Sequence, residues 1–435
     1  MDAPAIHMTF QEKTKDAIYS RLQWLGRALN VDAVYFAESG FWLFLRRVVS
    51  IIAGFVLAIA FANFLSKEAY GTYKYILSVF TILSAFTLSG MNAAVNQAVA
   101  SGFEKNLLEG YRLKFRWNFL ASLISACVAA YYAYFGNYEF AAFYALFAVL
   151  FPFWDASVLF DDYLQGKADF KRSARFDIIL QIALTLSLLG VIYLVPGNVL
   201  WLIIVWLFIQ TGFSVAYYRK VSSSVSPESS LDSGALRYAK HLSFMNILGT
   251  VANQIENILL FKMLGAAQLA VYAFAIAIPE QIKGVLGNIG TMAFPRFAKK
   301  EIGEIRSFLK KKFFQLFLIG ICVVGLYVLV APYLYGAFFP KYEDSILYSQ
   351  LFALSMLNMA FAPSAVALQA KKKLREQYIS NIINPVFRII ITILFIVQWG
   401  ILGLVFARII TRITGSIIDL LLLYYPSSED VPSRS

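Results

Sequence analysis

The sequence predicts an all-α membrane protein of about twelve transmembrane helices in two six-helix halves. Three observations lead there. First, 59% of the 435 residues are hydrophobic and the mean hydropathy is +0.65, whereas soluble domains are about 45–50% apolar. Second, apolar runs of bilayer-crossing length recur in two sets of six. The first set falls at about 41–65, 70–92, 117–136, 139–163, 176–195 and 199–218, the second at about 242–264, 269–293, 313–333, 345–368, 379–398 and 400–424. Third, of the 38 Lys and Arg residues, 28 fall in the N-terminal region, the alternate connections on its side and the tail; the connections between hold only Lys67 and Lys341. Basic residues mark the cytoplasmic side. Both termini are therefore expected inside, with the chain in the cytoplasmic (cell) membrane as a multi-pass protein.

The segments follow in order. Residues 1–40 form a cytoplasmic N-terminal segment without the apolar core and small-residue site of a cleaved signal peptide. Within it Ile18, Leu22, Leu25 and Leu29 recur at helical spacing, as in an amphipathic helix on the membrane surface or one packed on the body. Residues 41–218 make the first half, and 219–241, with the Ser-rich stretch VSSSVSPESSLDSG, a cytoplasmic linker. Residues 242–424 make the second half and 425–435 a cytoplasmic tail. The outer connections are short, so no extracytoplasmic domain is expected. Cys127 and Cys322 lie inside apolar runs, giving no disulfide framework. With only His7 and His241 present, neither a histidine-based metal site nor a cofactor is expected. The net charge of +12 is accounted for by orientation against anionic lipid, so no nucleic-acid partner is expected.

The halves also resemble each other. FLSKEAYGTY from Phe64 returns as MLGAAQLAVY from Met263, an offset of 199; LQGKADFKR from Leu164 returns as LQAKKKLRE from Leu368, an offset of 204. Repeated halves of this kind occur in transporters, where they rock against each other around a site between them.

The stretches 41–75 (FWLFLRRVVSIIAGFVLAIAFANFLSKEAYGTYKY), 251–282 (VANQIENILLFKMLGAAQLAVYAFAIAIPEQI), MAFPRF at 292–297 and LQGKADF at 164–170 resemble the polysaccharide-type flippases of the multidrug/oligosaccharidyl-lipid/polysaccharide exporter superfamily, over residues 40–424. The resemblance implies a V-shaped alternating-access transporter. It further implies movement of a polyprenyl-pyrophosphate-linked oligosaccharide from the cytoplasmic to the outer leaflet for surface polysaccharide biosynthesis. Membrane lipids would be partners, as would glycosyltransferases or a polymerase of the same pathway. Two positions depart from the family pattern. The acidic residue of the seventh helix, usually Asp, is Glu256, and the basic residue common at the end of the first helix is Asn63, with Lys262 at the repeat-equivalent place. The extra helices that form a lipid-tail groove in lipid II flippases are not expected.

Charged groups inside a bilayer must meet a partner or a hydrated cavity. Eight basic residues lie within spans against six acidic ones, namely Asp155, Asp161, Asp162, Glu256, Glu280 and Asp419, an excess suited to an anion. Arg46 and Arg47 lie about 8 Å inside the first helix. They point about 100° apart, either snorkelling to the interface or gripping a pyrophosphate through the guanidinium fork. Glu256 sits near mid-membrane with Asn253 on the same face, as a central polar site or a structural ion pair. Glu280 and Lys283 follow Pro279, facing a cavity or satisfying each other as an i,i+3 pair. Asp155 and Arg388 are similarly deep. The resulting assignment places Arg46, Arg47, Asn253, Lys283 and Arg388 in a substrate cavity and reserves Glu256, Glu280 and Asp155 for ion or proton coupling. Asp161, Asp162, Lys74, Lys262, Arg412 and Asp419 are expected to be interfacial or structural. No GxxxxGK[ST] occurs and no nucleophile–base–orienter trio assembles, so neither direct ATP drive nor an enzyme is expected. The competing readings are a cation-coupled multidrug exporter, which would want an acid-dominated cavity, a membrane glycan polymerase or ligase, which would want a large external loop, and a structural scaffold.

Overall fold

A computed structural model describes residues 33–226, 228–291, 302–361, 363–364, 367 and 374–424. The surface helix expected at 14–30, MAFPRF, the LQAKKK stretch and the C-terminal tail lie outside the described residues. Every regular element among those described is helical.

In the first half, α1 (Ala33–Phe64) and α2 (Lys67–Ala85) are the first span and most of the second. The chain breaks at 86–90 and resumes as α3 (Met91–Ala100). The third span is α4 (Asn106–Tyr134). The fourth is split into α5 (Tyr138–Ser157) and α6 (Leu159–Gly166). The fifth and sixth are α7 (Phe170–Leu194) and α8 (Val199–Ser222). In the second half, α9 (Ser233–Leu264), α10 (Ala266–Thr291) and α11 (Ile302–Phe338) follow. The fourth span is again broken, into α12 (Ser345–Ala353) and a 3-10 stretch, Leu354–Ala360. The eleventh and twelfth spans form α13 (Leu374–Tyr424), two helices folded at Gly400, whose φ of 57° and ψ of −131° only glycine adopts easily. Over their described residues the twelve expected spans are thus helical apart from the breaks, and several extend into segments expected to be polar: α1 starts at Ala33, α4 at Asn106, α7 at Phe170, α9 at Ser233 and α11 at Ile302. Among the described residues, six helices meet a strict length-and-hydropathy criterion for crossing a membrane.

Local chemistry sets several helix starts. Ser66, Asn137, Asp169, Asn198 and Asp232 each accept a backbone N–H two or three residues on, at 2.8–3.2 Å, the role these side chains fill at N-caps. The helices alternate in direction. The turns at 65–66, 135–137, 195–198, Gly265, 339–344 and Gly400 therefore gather at one end, the far end, and the start of α1 lies at the near end. At the near end Glu104 accepts from Lys167 Nζ at 2.6 Å, and this bond, helped by one from Tyr163, holds its carboxyl below the usual carboxylate range.

Packing follows from the apolar surfaces. Within the first half α4 lies on α5, α5 on α8 and α1 on α7. Only 17% of the most apolar window of α1 or of α11 is buried, as expected for helices facing lipid. The halves meet along α2, which packs on both α9 and α10. Tyr75 stacks on Phe261 at 4.0 Å, Tyr70 lies 4.8 Å from Phe274, and Phe274 lies 4.0 Å from Tyr342. The far end is further tied by Lys67 to Asp344 at 2.7 Å, by Lys341 donating to the Asn63 carbonyl at 2.7 Å, and by Asn63 donating to the Phe338 carbonyl at 3.0 Å. The two basic residues of the far-side turns, and Asn63 at the end of α1, thus all join the halves. The 199-residue offset is visible here: Ser66 and Gly265 open α2 and α10, whose first turns cross each other.

That crossing depends on Gly71. A Cβ there would lie 1.8 Å from the Ala266 carbonyl oxygen, whereas a Cβ at Gly54 on α1 meets nothing within 4 Å. Gly71→Ala is therefore expected to destabilise the protein by about 1–3 kcal/mol through overpacking, and Gly54→Ala to be neutral or slightly stabilising. Thermal unfolding of the two detergent-purified variants checks this.

Candidate functional site

The deepest charged group is Glu256, 1% exposed. On an ideal helix it lies about 12 Å from the Leu264 end of α9, and Arg408 lies about 12 Å along α13 from Gly400, so the two reach the same depth. Glu256 Oε1 accepts from Arg388 Nε at 2.9 Å and Nη2 at 2.6 Å. Its Oε2 accepts from Arg408 Nη1 at 2.8 Å and from the Tyr272 hydroxyl at 2.6 Å. Arg388 also donates to Asn253 Oδ1. An unpaired carboxylate here would carry a large desolvation cost; two guanidinium groups and a phenol offset it with four charge-assisted bonds.

The cluster continues into α10. Glu280 Oε1 is bridged by Arg408 Nη2 at 3.0 Å and by Arg412 Nη2; Arg412 Nη1 also donates to Ser355 Oγ at 2.9 Å. The i,i+3 pair of Glu280 with Lys283 does not form, because the arginines of α13 occupy the carboxylate. Lys283 is half-buried and makes no ion pair among the described residues. Arg408 Nε is likewise buried without an acceptor. Arg388 and Arg412 then line a cavity of about 280 Å³, with Asn253, Asn358, Asn384 and Asp419 also in its wall. Asp419 accepts from Ser380 Oγ at 2.6 Å. Four cations (Lys283, Arg388, Arg408, Arg412) meet two carboxylates in the cluster, and one cation remains in excess when Asp419 is counted.

The first half is organised differently. Arg46 lies in a network of its own. Its Nε meets Asp177 Oδ2 at 3.0 Å, Nη1 and Nη2 each lie 3.3 Å from Asp161 Oδ2, and Nη1 also lies 3.1 Å from Ser173 Oγ. This joins α1 to α6 and α7. Arg47 points elsewhere: its Nη2 lies 3.0 Å from where a Gly284 Cβ would be, beside Lys283 on α10. Arg47 is exposed and has no ion pair among the described residues. Asp155 is paired with Lys114 at 3.2 Å and receives Thr87 Oγ1 at 3.4 Å. Lys114 Nζ also donates to Asn92 Oδ1 at 3.0 Å, and Asn92 Nδ2 to Asp162 Oδ2 at 2.5 Å. Against Arg46 and Lys114 stand four carboxylates, so these two networks are acid-rich, while Lys74 lies apart from them beside the Tyr70 ring.

The structure thus joins Asn253, Glu256, Glu280 and Arg388 in one cluster, brings Arg47 of the first half against α10 at Gly284, the residue after Lys283, and places Arg46 and Asp155 in two separate networks. Sequence reasoning gave no site role to Arg408, Arg412, Tyr272, Lys114 or Asp177. Arg408 and Arg412 carried a signal, since two arginines at i,i+4 on an apolar helix share a face. Lys114 was counted among loop cations; it is 2% exposed inside α4.

Removing one partner of a buried ion pair costs about 3–5 kcal/mol. Glu256→Gln is expected to lose stability on that scale, because it leaves Arg388 and Arg408 facing each other. Glu280→Gln, at a side chain 30% exposed, should lose much less. Adding Arg408→Gln to Glu256→Gln should restore part of the loss, read by thermal unfolding in detergent.

A family model for polysaccharide biosynthesis proteins matches residues 36–301. Among solved structures, the lipid II flippase MurJ in an inward closed conformation superposes over 91% of this chain and 89% of its own, at 15% identity and a TM-score of 0.60. An outward-facing multidrug resistance MATE family transporter of the MOP superfamily does so over 89% and 94%, at 13% identity and 0.57. A MOP superfamily transporter from Pyrococcus furiosus, described by the reverse polarity of its binding pocket, does so over 89% and 95%, at 12% identity and 0.58. No curated protein sequence matches the chain. These identities speak to the fold, which is that of MOP superfamily transporters, and the family match covers more than half of the sequence. The chain belongs to the polysaccharide biosynthesis protein family.

Proposed function

We propose that the protein flips a polyprenyl-pyrophosphate-linked oligosaccharide from the cytoplasmic to the outer leaflet. The observation that carries this reading is the cation excess of the second half, with Lys283 unpaired on α10 and Arg47 of the first half reaching α10 at the next residue, Gly284. Neither Arg47 nor Lys283 is paired with a carboxylate among the described residues, and Arg388 and Arg412 line the cavity of the second half, so an anion entering between the halves would find cations on both sides. Guanidinium forks suit the oxygens of a pyrophosphate, and the side-chain amides of Asn253, Asn358 and Asn384 suit a glycan's hydroxyls.

In this reading the halves are residues 41–218 and 242–424, joined by the linker 219–241, with the near end and both termini in the cytoplasm. Apart from Arg47, α1 and α10 have little packing between them among the described residues, which leaves a lateral gap through which a lipid tail stays in the bilayer. Rocking of the halves then exposes the head group outside. An inside-negative potential favours this by about 2.3 kcal/mol per negative charge per 100 mV. Glu256 and Glu280 hold arginines in place. Asp155, 19% exposed beside Lys114, is the better candidate for proton or cation coupling. Glycosyltransferases or a polymerase of the same pathway would supply and consume the substrate.

The acid-rich networks around Arg46 and Lys114 favour one second reading, cation-coupled drug export. The two separate in a cell lacking its own flippase. Lys283→Glu and Arg47→Glu are each expected to lower surface glycan to about a tenth or less at equal protein abundance, as reversed charges repel the anion. Arg46→Ala should act mainly by lowering protein abundance. Wild-type glycan levels in both charge-reversal variants, with loss of dye efflux in Asp155→Asn, would favour export instead.

A further inference from the structure

A second basic cavity lies away from the central cluster, at the near end, where α7 begins and α8 ends. It encloses about 470 Å³ and is lined by Lys171, Arg172, Arg175 and Lys220, with Phe176 and Ile179 as its apolar wall. Asp169 also borders it, with one carboxylate oxygen engaged in capping α7 at 3.0 Å from the Arg172 N–H. Lys171 is paired with Glu38 at 2.8 Å. Arg172, Arg175 and Lys220 have no ion pair among the described residues.

Aromatic rings hold these cations close to one another. The Arg172 guanidinium lies 5.6 Å and the Lys220 ammonium 5.7 Å from the centre of the same Phe176 ring. Arg175 lies 4.8 Å and Lys171 5.9 Å from the Trp42 ring of α1. Like charges gathered around two rings repel, and neither ring neutralises them. The first turn of α7 adds the positive end of a 25-residue helix. An anion seated among them would be favoured by all of these terms.

The surface running on from the cavity narrows the kind of anion. Ile179, Ile182 and Leu186, spaced three and four apart on α7, are 49%, 46% and 64% exposed. They make an apolar stripe descending from the basic pocket along the side of the helix. The opposite face of α7, through Ser173 and Asp177, is occupied by Arg46 of α1. A ligand here therefore stays outside the central cavity and leaves its network intact.

We propose that this cavity binds the phosphate of an anionic phospholipid, with an acyl chain lying on Ile179, Ile182 and Leu186. The phosphate bridges Arg172 and Arg175 of α7 and Lys220 of α8, while Trp42 and Glu38 bring α1 against the same cations. The bound lipid braces α1, α7 and α8 of the first half. Basic pockets between membrane helices recognise anionic head groups through such contacts.

The test uses the full-length protein in a neutral detergent, with thermal unfolding and native mass spectrometry as readouts. Phosphatidylglycerol is expected to raise the unfolding temperature and to give a resolved one-lipid adduct, whereas phosphatidylcholine gives neither. Arg172→Gln/Arg175→Gln/Lys220→Gln should bind phosphatidylglycerol on the order of 100-fold more weakly, as expected for losing three basic groups at a membrane surface. Should the triple variant not fold, Lys220→Gln alone, at an exposed helix end, should weaken binding severalfold. Equal stabilisation by inorganic phosphate would make this a site for soluble phosphate and overturn the lipid assignment. Wild-type lipid affinity in the folded variants would overturn the site altogether.

Discussion

A charge taken out of water into a bilayer must be met at close range, and that requirement organises this protein's second half. Glu256 is the fullest case. Its two oxygens take four bonds from Arg388, Arg408 and Tyr272, which fixes the depth and rotation of α9 against α10 and both arms of α13. Gly400 is what allows Arg388 and Arg408 to approach from opposite arms: its left-handed φ folds the eleventh span back on the twelfth. The pairing is local to the second half, so it can travel as a unit if the halves move against each other.

The two halves share a helix plan and differ in electrical character. In the first, Arg46 and Lys114 are outnumbered by Asp155, Asp161, Asp162 and Asp177 and are held by them. In the second, the carboxylates are consumed by arginines while Lys283 and a donor of Arg408 are left over. Repeated architecture therefore supplies the frame, and polarity differs from half to half. A spare cation at depth has a cost, and a substrate that brings its own negative charge would relieve it. The proposed lipid site repeats the same physics at the membrane surface, where a cation cluster is cheaper because water reaches it.

Much of the frame was legible in the sequence, because bilayer crossing imposes a length and a hydropathy that each span must show on its own. Loop charge and the FLSKEAYGTY/MLGAAQLAVY match then gave order and repeat. The site was only partly legible. Glu256, Asn253 and Arg388 stand out as isolated polar residues in apolar runs, but the pairing of Glu256 with Arg388 and Arg408 joins positions 132 and 152 residues apart, which no local pattern records. Tyr272 closes the MLGAAQLAVY repeat, and a tyrosine in an aromatic-rich chain carries no sign that its hydroxyl faces a carboxylate. Lys114 and Asp177 sit in the first turns of their spans' apolar runs or just before them, where sequence cannot separate a loop charge from a buried one. Arg46 and Arg47, adjacent in sequence, separate in role because 100° of helix rotation sends one to α6 and α7 and the other toward α10.

The most direct measurement of the central claim is the sign of the ligand the purified protein binds. Titration of the detergent-solubilised protein with a short-chain polyprenyl pyrophosphate, and separately with a lipophilic cation such as tetraphenylphosphonium, reads this without a transport assay. The account predicts saturable binding of the pyrophosphate that weakens with added salt and is lost in Lys283→Glu, with no competition from the cation. Saturable binding of the cation together with none of the pyrophosphate would contradict it.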